Sequence, residues 1–214
     1  MQQDLLPLFP LQVVLFPRTP LPLHIFEDRY KEMIGEAIHS NTEFGVVLAG
    51  EKGIANIGCT AIVDRVIQRH DDGRLDLISS GRRRFEIQSL DQEKSYLRGA
   101  VEFFDDEGEE QEGTVSSDLK SKIVEAYNAL PPGDDPVASP EWNDAQLSFQ
   151  LAQRIADLQF RQVLLMMRSE QERMRHLADF LPEYAIKRIN AEHIQRVAPR
   201  NGHAKHHIQL DDRK

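Results

Sequence analysis

Four groups of residues in this chain have side chains capable of chemistry. Eight histidines are present, three of them close together at His203, His206 and His207, with His193 before them. Neutral imidazole binds zinc or nickel, but a site needs fixed geometry and a supporting shell of hydrogen bonds. The run from Pro199 to Lys214 is polar and is expected to be a disordered tail, which supplies neither. His24 lies in an apolar, proline-rich stretch, where a hydrogen-bonded structural histidine is the ordinary role. His70 precedes Asp71 and Asp72 and reads as a turn residue, with no nucleophile in sequence reach. The second group is Arg82, Arg83 and Arg84, with Arg65, Arg69 and Arg74 nearby. In β conformation Arg82 and Arg84 would face one way and Arg83 the other, so one face could be locally basic. The acids around them, Asp64, Asp71, Asp72, Asp76 and Glu86, offer ion pairing instead. The third group is the paired carboxylates Asp105-Asp106, Glu109-Glu110 and Asp134-Asp135. They fall in linker-like sequence, where nothing holds two acids at a catalytic separation. The fourth is the single cysteine, Cys59, set among apolar strand residues and expected to pack as a small buried hydrophobe. One cysteine also excludes a disulfide within the chain and a multi-cysteine zinc site. No Gly-x-x-x-x-Gly-Lys-Ser/Thr or Gly-x-Gly-x-x-Gly run cradles a phosphate. No catalytic residue, metal ligand or cofactor is assigned from the sequence.

The elements that would position these residues follow from periodicity. Residues 6–30 carry Pro7, Pro10, Pro17, Pro20 and Pro22 between short apolar runs. Proline lacks a backbone N–H and fixes φ, so this stretch is expected to form two or three short strands with proline corners. From Glu27 the period becomes helical: Tyr30, Met33, Ile34, Ala37 and Ile38 recur on one face, and the helix should run to about His39. Residues 44–49 read as a buried strand and 57–68 as an alternating one. Asp72-Gly73 is a hairpin signal, with a type I′ turn expected. A return strand through Ser79, a turn at Ser80-Gly81, and strands over 82–90 and 96–104 complete a β-rich half.

Residues 105–113 (DDEGEEQEG) are acidic and nearly free of apolar side chains, which marks a solvated linker. Beyond it the pattern is helical: 115–130, 141–157, a short buried helix at 162–167, a helix opened by a Ser169–Glu172 capping box and ended by Pro182, and a last one over 183–197. Trp142 is expected to pack at a helix start. The expected division is residues 5–104 for the β half, 105–113 for the linker, 114–198 for the helical bundle and 199–214 for the tail.

At 214 residues the chain has room for one large domain or two small ones. Its net charge of −9 disfavours a phosphate-backbone ligand. No apolar run approaches the ~18 residues of a membrane span. The N-terminus lacks the basic and apolar segments of a signal peptide, so a reducing cytoplasm is the default expectation.

The sequence Pro7 to Ile34, PLFPLQVVLFPRTPLPLHIFEDRYKEMI, resembles the opening of the Lon-protease N-terminal domain, also called the Lon substrate-binding domain. The likeness continues through residues 44–48, Ile57-Gly58-Cys59-Thr60-Ala61, Asp72-Gly73-Arg74 and Gly81-Arg82-Arg83-Arg84-Phe85, covering roughly 6–197, and is strongest to bacterial proteins carrying this domain alone. One departure is Arg18, where family members commonly have glycine after the Leu-Phe-Pro triplet. The resemblance implies an α+β fold: a β-rich PUA-like pseudo-barrel with one helix, followed by a small helical bundle. The ATPase and Ser–Lys peptidase modules of full-length Lon are absent from these 214 residues, so neither activity carries over. What it implies is a non-catalytic module for extended polypeptide segments or a protein partner. Contact would fall near Phe16, Arg18, Leu21, Leu23 and Phe26, aided by strand addition at an unpaired edge. PUA-like folds include RNA binders, so a nucleic-acid module using the Arg82–Arg84 face is the alternative.

Overall fold

In a computed structural model of the chain, residues 5–51, 53–107, 117–132 and 139–197 are described. The expected tail and most of the expected acidic linker lie outside the described residues. Packing divides the chain into two compact units: Met1–Gly113 with Val137–Arg173, and Thr114–Pro136 with Met174–Lys214. A single cut at 105–113 was expected; instead residues 137–173 join the β-rich unit.

The first unit is built on six strands, β1 (Leu6–Leu11), β2 (Pro20–Ile25), β3 (Phe44–Gly50), β4 (Gly53–Arg69), β5 (Leu75–Asp91) and β6 (Arg98–Phe104). Their order is β2-β5-β4-β3-β1-β6, and β6 also pairs with β5. That extra pairing closes β1, β3, β4, β5 and β6 into a pseudo-barrel and leaves β2 as an added terminal strand. β5 manages this because it is long: residues 75–80 pair with β2, and 84–91 pair with β6. Only β1 and β3 run parallel. Between β2 and β3, helix α1 (Asp28–Ser40) buries Tyr30, Met33, Ile34 and Ala37, one face at helical spacing. The Phe9 and Tyr30 rings pack at 4.2 Å. Asn41 ends α1 in the left-handed region, φ 51°.

Two local expectations are corrected. The β4–β5 hairpin forms at Asp71-Asp72-Gly73, but Asp72 does not take positive φ; Gly73 does, at 82°, with its N–H donating to His70 O (2.9 Å). This is a turn closed by a left-handed glycine rather than type I′. Ser80-Gly81 is no turn, since β5 runs straight through it. Gly81 is there because a Cβ would lie 2.0 Å from Phe16 O. The strand passes so close to the 16–19 turn that only glycine fits.

Within 139–173 the first helix is shorter than the expected 141–157, and the second is longer than the expected 162–167. α3 spans Leu147–Ala152 and α4 spans Leu158–Met166, the latter opened by Asp157, whose carboxylate accepts from Phe160 N (3.0 Å). Trp142 sits in the turn before α3, not at its start. In the second unit, α2 (Ser117–Ala129) and the later part of α5 (Glu170–Val197) bury Ile123, Tyr127, Leu177, Leu181 and Ala185. Lys122 and Asp179 join them at 3.5 Å. Ser169 Oγ accepts from Glu172 N at the start of α5, as the capping box requires (3.3 Å). Pro182 was expected to end that helix, yet α5 continues through it. Ile186, Ile189 and Ile194 are exposed on the later part of α5.

Candidate functional site

The proline-rich opening folds into a turn and an edge strand. Phe16 O accepts from the Thr19 hydroxyl (2.7 Å) and from Thr19 N (3.3 Å), which bends the chain after Pro17. Arg18, at the corner, has φ 59°, the conformation glycine takes at no steric cost. Its N–H donates to Gly81 O (2.8 Å), and its guanidinium pairs with Asp144. The departure from glycine therefore keeps the turn. Phe16 is fully buried and stacks on Phe149 at 5.0 Å, so it belongs to the core and not to a contact surface. Leu21 and Leu23 are half-buried on β2, and Phe26, just after it, is 59% exposed.

β2 is the terminal strand of the sheet order. Its partners run Pro20–Ser80, Leu21–Ser79, Pro22–Ile78, Leu23–Leu77, His24–Asp76 and Ile25–Leu75. Proline cannot donate, so Leu21, Leu23 and Ile25 carry the ladder bonds to β5. The outward edge then offers carbonyls at Pro20, Pro22 and His24, but an N–H only at His24. Such an edge resists strand addition. That mechanism is not available along β2, which leaves side-chain contact.

The three arginines do not share a face. Cys59 pairs with Arg84 and Ala61 with Gly81, so Arg82 and Arg83 together oppose Thr60 in a bulge. Thr60 Oγ1 accepts from Arg83 N (3.0 Å), pinning the extra residue. Arg82 is exposed. Arg83 pairs with Glu43 (3.2 Å) and lies over the Phe103 ring at 3.8 Å. Arg84 is turned inside, 2% exposed. It donates to Asp106 Oδ1 (2.6 Å) and to the Leu165 and Met167 carbonyls.

Asp106 also accepts from Arg173, a fully buried arginine whose Nη1 reaches Oδ1 at 2.7 Å. Arg173 Nη2 bonds Glu170 (2.9 Å), and its Nε bonds Ser148 Oγ (2.9 Å). Ser148 in turn donates to Glu170 through Oγ (2.6 Å) and N (2.9 Å). Burial pushes the Asp106 carboxyl up, but Arg173 and Arg84 together hold it below its ordinary value. Burial wins at Glu170, whose carboxyl is raised against the pull of Ser148 and Arg173. Two arginines face two carboxylates, and the network clamps α3, α4 and the first turn of α5 to the barrel. Asp106, expected to be a solvated linker residue, is its centre. Cys59 is buried as expected, its thiol pushed up to about 12 by desolvation, which leaves it inert.

A second cluster lies at the far end of β2. His24 Nδ1 is 2.6 Å from Asp76 Oδ1, and His70 Nε2 is 2.6 Å from Asp76 Oδ2. Hydrogen bonds from His24 and then His70 hold the Asp76 carboxyl below its ordinary value. Neither histidine stood out as part of a set in the sequence. The signal that would have joined them was the antiparallel register of the Asp72-Gly73 hairpin and β2.

A cavity of about 170 Å³ lies between α1 (Ala37, Ile38, Asn41) and residues 62–66 of β4. Cofactor pockets are typically ~300–1,000 Å³, so this one suits a side chain rather than a cofactor. No helix among the described residues is long and apolar enough to cross a membrane.

The architecture is α+β, a β-rich pseudo-barrel with helices. Residues 5–197 match the ATP-dependent protease La (LON) substrate-binding domain model, and the chain belongs to that family. Over 147 residues, 61% of the chain, it is 32% identical to a Lon protease of Parabacteroides distasonis, spanning only 18% of that protein's length. Its fold is similar to the Lon N-terminal domain protein from Xanthomonas campestris (TM-score 0.67, 22% identity, covering 84% of this chain and 99% of that one). It is also similar to the N-terminal domain of the Mycobacterium avium complex Lon protease (TM-score 0.54, 17% identity, 82% and 97%).

Proposed function

We propose that this chain is a non-catalytic module that binds extended polypeptide segments or a protein partner through apolar side-chain contact. Membership of a substrate-binding domain family is the observation that carries the reading. Phe26, with Leu21 and Leu23 behind it on β2, is the proposed contact; an aromatic ring left 59% exposed at a strand end is available for an apolar side chain. Arg18 is proposed at the rim, its charge balanced by Asp144. The proline-blocked edge favours side-chain over main-chain recognition, so binding should be tolerant of sequence. The burial of Arg84 and the pairing of Arg83 with Glu43 weigh against the nucleic-acid alternative. Cytoplasmic residence remains part of this proposal.

The test is retention of a reduced, unfolded polypeptide and of single-stranded RNA on the immobilised chain at low and high salt. Polypeptide retained at both supports the reading. RNA retained at low salt and lost at high salt, with no polypeptide held, would contradict it.

A further inference from the structure

His24, His70 and Asp76 come from three parts of the first unit: β2, the end of β4 at the hairpin, and β5. One ligand atom from each lies within 4.8 Å of the others. We propose that they form a binding site for a borderline divalent transition ion, zinc in the first instance, which staples the edge strand β2 to the β4–β5 hairpin.

The donor set is two imidazole nitrogens and one carboxylate, the composition of a three-ligand zinc site with a fourth position for water. Imidazole favours zinc, nickel and copper over magnesium and calcium. Bonds of about 2.0–2.1 Å in tetrahedral geometry set ligand atoms ~3.3 Å apart. The two nitrogen–oxygen distances of 2.6 Å need to open by less than an ångström. Asp76 sits between the two rings, with one oxygen toward each, so it can give either oxygen to an ion.

The supports around these ligands are in place. His24 and Asp76 face each other as a non-hydrogen-bonded pair of the β2–β5 ladder, the pair type in which side chains stand closest. The Phe26 ring stacks on His24 at 6.0 Å. Both main-chain groups of His70 are fixed across the hairpin: its N–H donates to Arg74 O, and its carbonyl accepts from Gly73 (both 2.9 Å). The His24 and His70 rings meet edge-on at 6.0 Å. Side-chain exposures of 47%, 25% and 33% for His24, His70 and Asp76 leave an entry path for the ion.

The experiment uses the full chain carrying His203→Ala, His206→Ala and His207→Ala, which removes competing tail imidazoles. Zinc is titrated against a chromophoric chelator, and cobalt is followed by its visible d–d bands. One ion per chain is expected, with affinity falling at least about tenfold in His24→Ala, in His70→Ala and in Asp76→Asn. Because these variants alter an edge strand, a second readout needs none of them. In the tail-substituted chain, zinc should shift the imidazole resonances of His24 and His70 and leave those of His39, His176 and His193 in place. The proposal is overturned if that chain takes up no ion, if the three variants bind as tightly as their parent, or if the shifted resonances belong to other histidines.

Discussion

Replacing Asp106 with alanine should unfold the first unit far more readily than a surface change would. Asp106 accepts from Arg84 Nη2 at 2.6 Å, from Arg173 Nη1 at 2.7 Å and from Arg173 Nη2 at 2.5 Å. Arg84 and Arg173 are 2% and 0% exposed, so both guanidinium groups depend on protein partners for their hydrogen bonds. After the substitution Arg173 keeps Glu170 as its carboxylate partner, while Arg84 keeps hydrogen bonds only to the Leu165 and Met167 carbonyls. Removing one partner of a buried pair costs about 3–5 kcal/mol, a large part of the ~5–15 kcal/mol that holds a domain folded. For a chain of this size that is roughly a 6–20 °C fall in Tm. Trp142, the only tryptophan, lies in the segment the clamp holds, so its fluorescence during urea or thermal unfolding reports the right unit. In an Arg173→Met background the same substitution should cost less, because one of the stranded charges is already gone. A loss below about 1 kcal/mol, or equal losses in both backgrounds, would refute the clamp and reduce Asp106 to a surface pair.

The remaining predictions concern pH, the turn and its neighbours. Asp106 has a lowered folded pKa, so its contribution is present above about pH 3.9 and lost as pH falls through the folded value; the stability gap to Asp106→Asn should narrow as pH falls below about 3.9. Glu170 has a raised folded pKa and opposite sign: its favourable term is complete below about pH 4.3 and lost as pH rises through the folded value, a drift that Glu170→Gln should abolish in equilibrium unfolding. Gly81→Ala places a Cβ against the Phe16 carbonyl and should cost about 1–3 kcal/mol in urea unfolding. Arg18→Gly relieves a left-handed backbone worth about 1–2 kcal/mol and loses a partly exposed ion pair worth about 0–1 kcal/mol, so it should stabilise, more clearly at high salt.

Local pattern carried much of this architecture. The stripe of α1, the existence of strand β4, the Asp72-Gly73 hairpin and the Ser169–Glu172 cap are each set by residues within a few positions, and each formed where those residues stand. Long-range features were hidden. Nothing near Gly81 announces that β5 will pass against Phe16, so a glycine needed for close approach resembled a turn. The bulge opposite Thr60 depends on β4, and Arg84 lies inside because Asp106 and the Leu165 and Met167 carbonyls close over it from far along the chain. Asp106 looked like one more acid in an acidic run because its arginines come from positions 84 and 173. The same limit applies to the contact residues: Phe16 and Phe26 are alike in sequence, and Phe149, far along the chain, turns the first into core.

The central claim is apolar recognition of polypeptide through the Phe26 end of β2. Its most direct test is calorimetry of an unfolded polypeptide binding to the native chain and to Phe26→Ala, at several temperatures and two salt concentrations. Phe26 is exposed, so both chains should show the same Tm. The account predicts salt-independent binding with a negative heat-capacity change, weakened about fivefold or more by the substitution. Binding that is unaffected by Phe26→Ala, or that disappears at high salt, would contradict it.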